Sequence, residues 1–367
     1  MSDPRVEKLA KLLIHYSLGV KKGQHLMIRS TSLAEPLIEA AYKEAILAGA
    51  HVTTMLGLAN TQEIFYKNAS DEQLEYVMPI SEFVNENYDC FLNILADYNT
   101  KSLAGVDSKR IAKNRRAGAK LSQRFMERAG KGQLKWSLTQ FPTFAAAQEA
   151  GMSLKEYEDF VYGAGLLHLE DPVAEWRRIE EEQAKLASFL DSKSHLRIVS
   201  KDTDISMSIA GRKWINCCGH ENFPDGEIFT GPVEDTVNGH IRFSFPGIYA
   251  GKEIEDIRLE FKDGKVVKAS AAKGEELLLA LLDTDEGARF VGEIAVGTNF
   301  GIQHFSRNML FDEKIGGTVH LAIGASYPES GGKNQSGIHW DMLCDMREGG
   351  EIYADGELIY RNGNFSI

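Results

Sequence analysis

The sequence predicts an α/β N-terminal domain with a largely parallel sheet over residues 1–190, and a β-rich α+β C-terminal domain over residues 191–367. Three observations predict this. Strand-like and helix-like patterns alternate through the first half, and a long charged helix pattern follows. The remainder consists mostly of short alternating segments with Asp-Gly and Asn-Gly turns. A chain of 367 residues also exceeds what one hydrophobic core comfortably serves.

The elements follow in order. HLMIRS (His25 to Ser30) reads as a short apolar strand. AEPLIEAAYKEAILAGA (Ala34 to Ala50) is rich in helix formers, has apolar residues at helical spacing and meets Gly49 near its end. HVTTML (His51 to Leu56) completes a βαβ unit, which implies a parallel sheet with helices on its faces. CFLNILA (Cys90 to Ala96) and LKWSLTQFP (Leu134 to Pro142) read as further strands. The basic stretch SKRIAKNRRAGAK (Ser108 to Lys120) has the spacing of a solvated helix face. GMSLKEYEDFVYGAGL reads as a helix opened by a capping box of Ser153 and Glu156. EDPVAEWRRIEEEQAKLASFLDSK (Glu170 to Lys193) reads as an amphipathic helix connecting the halves.

Beyond it the texture changes. LRIVSKDTDISMSIA alternates like a hairpin, and IRLEFKDGKVVKASA turns at Asp263–Gly264. GEELLLALLD is a short helix, and EIYADGELIYRNGNF turns at Asp355–Gly356 and again at Asn362–Gly363.

Composition narrows the function. A formal net charge of -12 argues against a nucleic-acid partner, which needs a basic face. The opening MSDPRVEKLAKLLIHYSLGV lacks the long apolar core of a secretory signal, and no apolar run reaches the roughly 20 residues that span a bilayer. The four cysteines (Cys90, Cys217, Cys218 and Cys344) show neither metal-binding spacing nor a disulfide framework, so a reduced, cytoplasmic compartment is expected. The nucleotide fingerprints GxGxxG and GxxxxGK[ST] and the nucleophile motif GxSxG are all missing.

Chemistry collects in the second half. SGIHWDMLCDM (Ser336 to Met346) places His339 and Asp341 on one strand face and Ile338, Trp340 and Met342 on the other. Such a pair is either a satisfied His–Asp hydrogen bond or part of a site. GGTVHLAIG sets His320 beside the small residues Thr318 and Ala322, which leaves room next to the imidazole, and Tyr327 follows in the loop SYPESGG. Glu293 in FVGEIAVGTN and Glu227 in ENFPDGEIFT are acids among apolar strand residues, costly to bury unless paired or metal-bound. The inventory is two Glu, two His, one Asp and one Tyr. Imidazole plus carboxylate ligation suits Zn²⁺, Co²⁺ or Mn²⁺, and several carboxylates among few ligands favour two divalent metal ions.

The strings ENFPDGEIFTGPVEDT, FVGEIAVGTNFGI, MLFDEKIGGTVHLAIGASYPE and SGIHWDM resemble the motifs of the thermophilic metallo-aminopeptidase family, of the aminopeptidase T and aminopeptidase S type. The likeness is dense from Gly219 to Met342 and looser upstream through Ala150 to Ser153, Asp171–Pro172 and Trp176. It implies metal binding by Glu227, Glu293, His320, Tyr327, His339 and Asp341, with every position filled by the family's residue type. It further implies two divalent ions (Zn, Co, Mn or Mg), a peptide substrate with a free N-terminus and a homodimer.

Of the catalytic candidates, Glu227 or Glu293 would bridge the metals or shuttle a proton. Tyr327 would be a ligand or a support for the oxyanion. Glu313 and Lys314, in FDEKIGG, would either support the site from behind or form an exposed ion pair in a turn, and His304 reads as a surface loop residue. A dinuclear amidase or carboxypeptidase and a non-catalytic peptide-binding protein are the rival readings.

Overall fold

The computed structural model describes residues 3–249 and 251–367. Contacts divide the chain into two compact units, Met1–Val173 with Gly219–Pro224, and Ala174–Cys218 with Asp225–Ile367. The boundary expected after residue 190 falls at the end of the helix Pro172–Asp191, most of which groups with the second unit.

In the first unit the strands His25–Thr31, Cys90–Leu95 and Lys135–Gln140 form a parallel sheet, with His51–Gly57 at one edge and Asn222–Phe223 at the other. The central strands bury consecutive residues (Leu26, Met27 and Ile28; Cys90, Phe91 and Leu92), as a parallel sheet covered on both faces requires. HVTTML forms the expected strand, but as an edge strand it is exposed over most of its length. The helix Leu154–Ala164 opens with the expected capping box: Glu156 N donates to Ser153 Oγ (3.3 Å) and Ser153 N to Glu156 Oε2 (2.8 Å). The basic helix Ser108–Ala117 buries none of its residues, so its charges are solvated. Among the described residues, no helix is long and apolar enough to cross a membrane.

The second unit is antiparallel. Eight strands form one sheet, with the hairpin His195–Ser200/Thr203–Ser208 at its middle and Glu351–Ala354/Glu357–Arg361 beyond it. All three expected turns carry paired positive φ values, at Asp263–Gly264 (49° and 83°), Asp355–Gly356 (50° and 84°) and Asn362–Gly363 (49° and 85°). A second, five-stranded sheet has the order His339–Asp345, Thr318–Gly324, Val291–Gly297, Glu227–Thr230, Ile215–Cys217. One face of this sheet (Trp340, Met342, Leu321, Ile323, Ile294, Val296, Ile228) joins the unit's hydrophobic core. The period of two therefore sends the intervening residues to the opposite face.

The helix Pro172–Asp191 does more than connect. Its Gln183, 3% exposed, donates to Cys217 O and Glu227 O (both 3.0 Å) and accepts from Thr298 Oγ1 (2.8 Å). The turn before Glu227 is pinned as well, because Asn299 Nδ2 donates to Asp225 O (2.7 Å) and Thr298 N to Gly226 O (2.8 Å). Gly226 has φ +121°, and a Cβ there would lie 2.8 Å from Asn299 Cβ. Gly226→Ala is therefore expected to cost about 2 kcal/mol through backbone strain and this clash, read as a lowered denaturation midpoint. An unchanged midpoint would mean the turn is not held as described.

Candidate metal centre

Four neighbouring strands place the chemistry. Glu227 opens its strand, Glu293 and His320 are third in theirs, and His339 and Asp341 are first and third in theirs. Across the sheet, Glu227 lies opposite Gly297, Glu293 and Asp341 both lie opposite Ala322, His320 opposite Ala295, and His339 opposite Gly324. Each of these side chains thus has a methyl group or a bare backbone on one side, while on the other His320 faces Leu343 and Glu227 faces Cys217. The expectation of room beside His320 holds at Ala322.

The side chains converge. His320 Nε2 is 3.2 Å from Glu293 Oε1 and 3.4 Å from Glu227 Oε2. His339 Nε2 is 3.6 Å from Glu293 Oε2 and 3.6 Å from Asp341 Oδ1. His339 Nδ1 lies 2.8 Å from Ala325 O; donating there would fix the tautomer and leave Nε2 as the lone-pair nitrogen. Glu227, Glu293 and His320 bring ligand atoms within 4.8 Å of one another, as do Glu293, His339 and Asp341, and also Glu313, His320 and Asp341. The histidine and aspartate of the HWD stretch therefore share not just each other but Glu293.

The other expectations resolve individually. Tyr327 follows the His320 strand, its ring edge-on to His339 (4.9 Å between centroids) and 5.4 Å from Phe229. Lys314 is not in an exposed ion pair: it is fully buried, bonded to Glu313 and 2.6 Å from Glu227 Oε1. His304 is exposed. Sequence reasoning passed over Asp225, 1% exposed with Oδ1 3.7 Å from Lys314 Nζ. It also passed over Cys217, whose ligand atom groups with those of Asp225 and Glu227, because no spacing signal connects residues 217 and 225.

Electrostatics follow from this crowding. Burial pushes the Glu293 carboxyl up and that of Glu313 up to about 8, the latter against the lowering charge of Lys314. Burial opposes charging of the imidazoles, yet the Glu293 bond with the Glu227 and Asp341 charges pushes His320 up to about 9. The same contest, won by Asp341 and Glu293, pushes His339 up to about 10. Burial and the surrounding carboxylates push the Tyr327 hydroxyl far up, so it is a donor at neutral pH.

Among the described residues at the centre, Glu227 Oε2, His320 Nδ1 and Asp341 Oδ1 are buried without a hydrogen-bond partner. Buried polar atoms are rarely left so, and acids and imidazoles with open lone pairs are the donors that divalent cations take. The residues fit a metal. A β-rich domain with carboxylates and imidazoles converging on one sheet face has the makings of a metalloprotein.

The profile of the thermophilic metalloproteases (M29) matches residues 2–365, and the chain belongs to that family. Aminopeptidase 2 of Geobacillus stearothermophilus is 30% identical over 100% of this chain and 98% of that protein. Aminopeptidase AmpS of Bacillus subtilis is 28% identical over 99% and 98%. The structure of wild-type AmpT from Thermus thermophilus matches with TM-score 0.87 at 25% identity, covering 99% of each chain. The fold alone does not choose the chemistry. A 2,5-dihydroxypyridine dioxygenase from Pseudomonas putida KT2440 shares it at TM-score 0.60 and 15% identity, over 100% of this chain and 98% of that one.

Membership in a metalloprotease family implies a divalent metal. Chelator-treated protein is expected to gain about 2.7 kcal/mol of stability when Co²⁺ or Zn²⁺ is restored at a hundredfold excess over its Kd. Thermal unfolding with and without the ion reads this gain, and no rise in Tm would speak against the centre.

Proposed function

We propose that this chain is an aminopeptidase that removes N-terminal residues from peptides with two divalent ions at the centre described. The observation that carries the two-ion reading is Glu293. One of its oxygens faces His320 (3.2 Å) and the other His339 (3.6 Å), so one carboxylate serves two ligand groups. The crowding of the Asp225, Glu227, Glu293, Glu313 and Asp341 carboxyls around a single Lys314 ammonium supports cation binding there. Zn²⁺, Co²⁺, Mn²⁺ and Mg²⁺ are the candidate ions. Full-length likeness to proteins named aminopeptidases supports the exopeptidase reading.

In this reading Glu227, Glu293, His320, His339 and Asp341 would hold the ions, with Glu293 placed between the two histidines. Their chemistry there would be to lower the pKa of water and polarise the scissile carbonyl. The protein supplies the proton traffic. Glu313, bonded through Oε1 to Lys314, takes a proton from the attacking water and returns it to the leaving amine. Burial raises this carboxyl, which favours proton uptake there. Tyr327 keeps its proton and donates a hydrogen bond to the developing oxyanion. The reading also includes a cytoplasmic location, from the cysteine pattern, and a homodimer, as the resemblance implies; sedimentation of a monomeric active chain would remove the homodimer.

A free-amine peptide and its N-acetylated twin separate exopeptidase action from its rivals. Metal-dependent release of the first residue from the free peptide alone is expected, whereas equal cleavage of both would overturn the aminopeptidase reading. Glu313→Gln is expected to lower kcat about 10²- to 10⁴-fold and Tyr327→Phe about 10²- to 10³-fold, each with unchanged metal uptake. Lost uptake in either variant would make that residue a ligand instead.

A further inference from the structure

We infer that Lys314 is a positioning residue whose ammonium serves as a built-in cation: it fills a third carboxylate pocket beside the centre and leaves Glu227 one oxygen for metal. This rests on the metal reading above. Cys217, Asp225 and Glu227 bring ligand atoms within 4.8 Å of one another, a grouping of the kind that takes an ion. Lys314 Nζ already sits against it, 2.6 Å from Glu227 Oε1 and 3.7 Å from Asp225 Oδ1, and bonds Glu313 on its other side. The residue is 0% exposed, and a compact point charge with three donors can be buried only in such company.

Two consequences follow. Because Lys314 takes Glu227 Oε1, the second oxygen, Oε2, is left without a hydrogen-bond partner and lies 3.4 Å from His320 Nε2, facing the centre. The backbone end of Glu227 is held separately, through its carbonyl bond from Gln183 (3.0 Å). Main chain and carboxylate are thus fixed by different partners, and the Lys314 bond to Oε1 turns Oε2 toward the centre. The second consequence concerns ion number: with an ammonium in place, the Cys217 pocket is closed to metal, although its donors are otherwise suitable.

The test is a Co²⁺ titration of chelator-stripped protein, followed by absorption. Wild type is expected to take up Co²⁺ without a near-ultraviolet thiolate-to-cobalt band. Lys314→Met is expected to bind one more Co²⁺ per chain than wild type and to gain that band, and Lys314→Met with Cys217→Ser to lose the band again. With the ligand oxygen no longer fixed, kcat falls about 10- to 100-fold while KM stays within about twofold. Lys314→Gln keeps an N–H for Glu227 but no charge, and is read in parallel in case the methionine variant does not fold. Variants that fold, bind the wild-type number of ions and show no band would overturn the proposal alone, as would failure of both variants to fold even with Co²⁺ present, which would make Lys314 a structural residue. Wild type that takes up no Co²⁺ would overturn the metal reading and this inference together.

Discussion

Five carboxylates on or beside one sheet face, nearly sealed from water, are the constraint around which the second unit is arranged. Ionised groups removed from solvent each cost several kcal/mol unless opposite charge is brought to them. The chain itself brings one full charge, Lys314, bonded to Glu227 and Glu313 with Asp225 nearby. The two imidazoles are drawn toward the charged form by the same carboxylates. What remains is a carboxylate-rich site in which Glu227 Oε2 and Asp341 Oδ1 have no hydrogen-bond partner. Such a site suits cations, whose binding would offset the cost of burying its carboxylates.

The scaffold makes this possible by division of labour. The hidden face of the five-stranded sheet supplies the apolar burial, through Trp340, Met342, Leu321, Ile294 and their neighbours. The open face carries the candidate ligands, with Gly297, Ala295, Ala322 and Gly324 among the residues opposite them. Larger residues in those cross-strand positions would crowd the site. Gln183 and Asn299 then hold the Glu227 strand and the turn before it, so the ligand's backbone does not depend on the ions for its position.

This division also explains why one fold serves unlike proteins. A fold match at 15% identity to a dioxygenase keeps the layers, whereas full-length likeness to aminopeptidases at 27–30% identity goes with membership in a metalloprotease family. The layers set where side chains project. The side chains set what can be bound, and a carboxylate-rich set with an internal ammonium defines the cation charge that fits.

Much of this was legible in the residues alone. Alternation placed His339 and Asp341 on one face, because a strand has period two whatever surrounds it. Asp-Gly and Asn-Gly located the hairpins, and Ser153 with Glu156 marked a helix start, because turns and caps are local chemistry. The resemblance of four motifs named the ligand types. Sequence could not show that Glu293 stands between the two histidines, that Lys314 is buried rather than exposed, or that Asp225 and Cys217 border the centre. Nor could it show that Gln183, in an apparent connector, holds the backbone of Glu227. These facts depend on strand order and register, which bring together residues dozens of positions apart. Period and propensity are properties of neighbours along the chain, while burial and charge pairing are properties of neighbours in space, and only the folded sheet decides which those are.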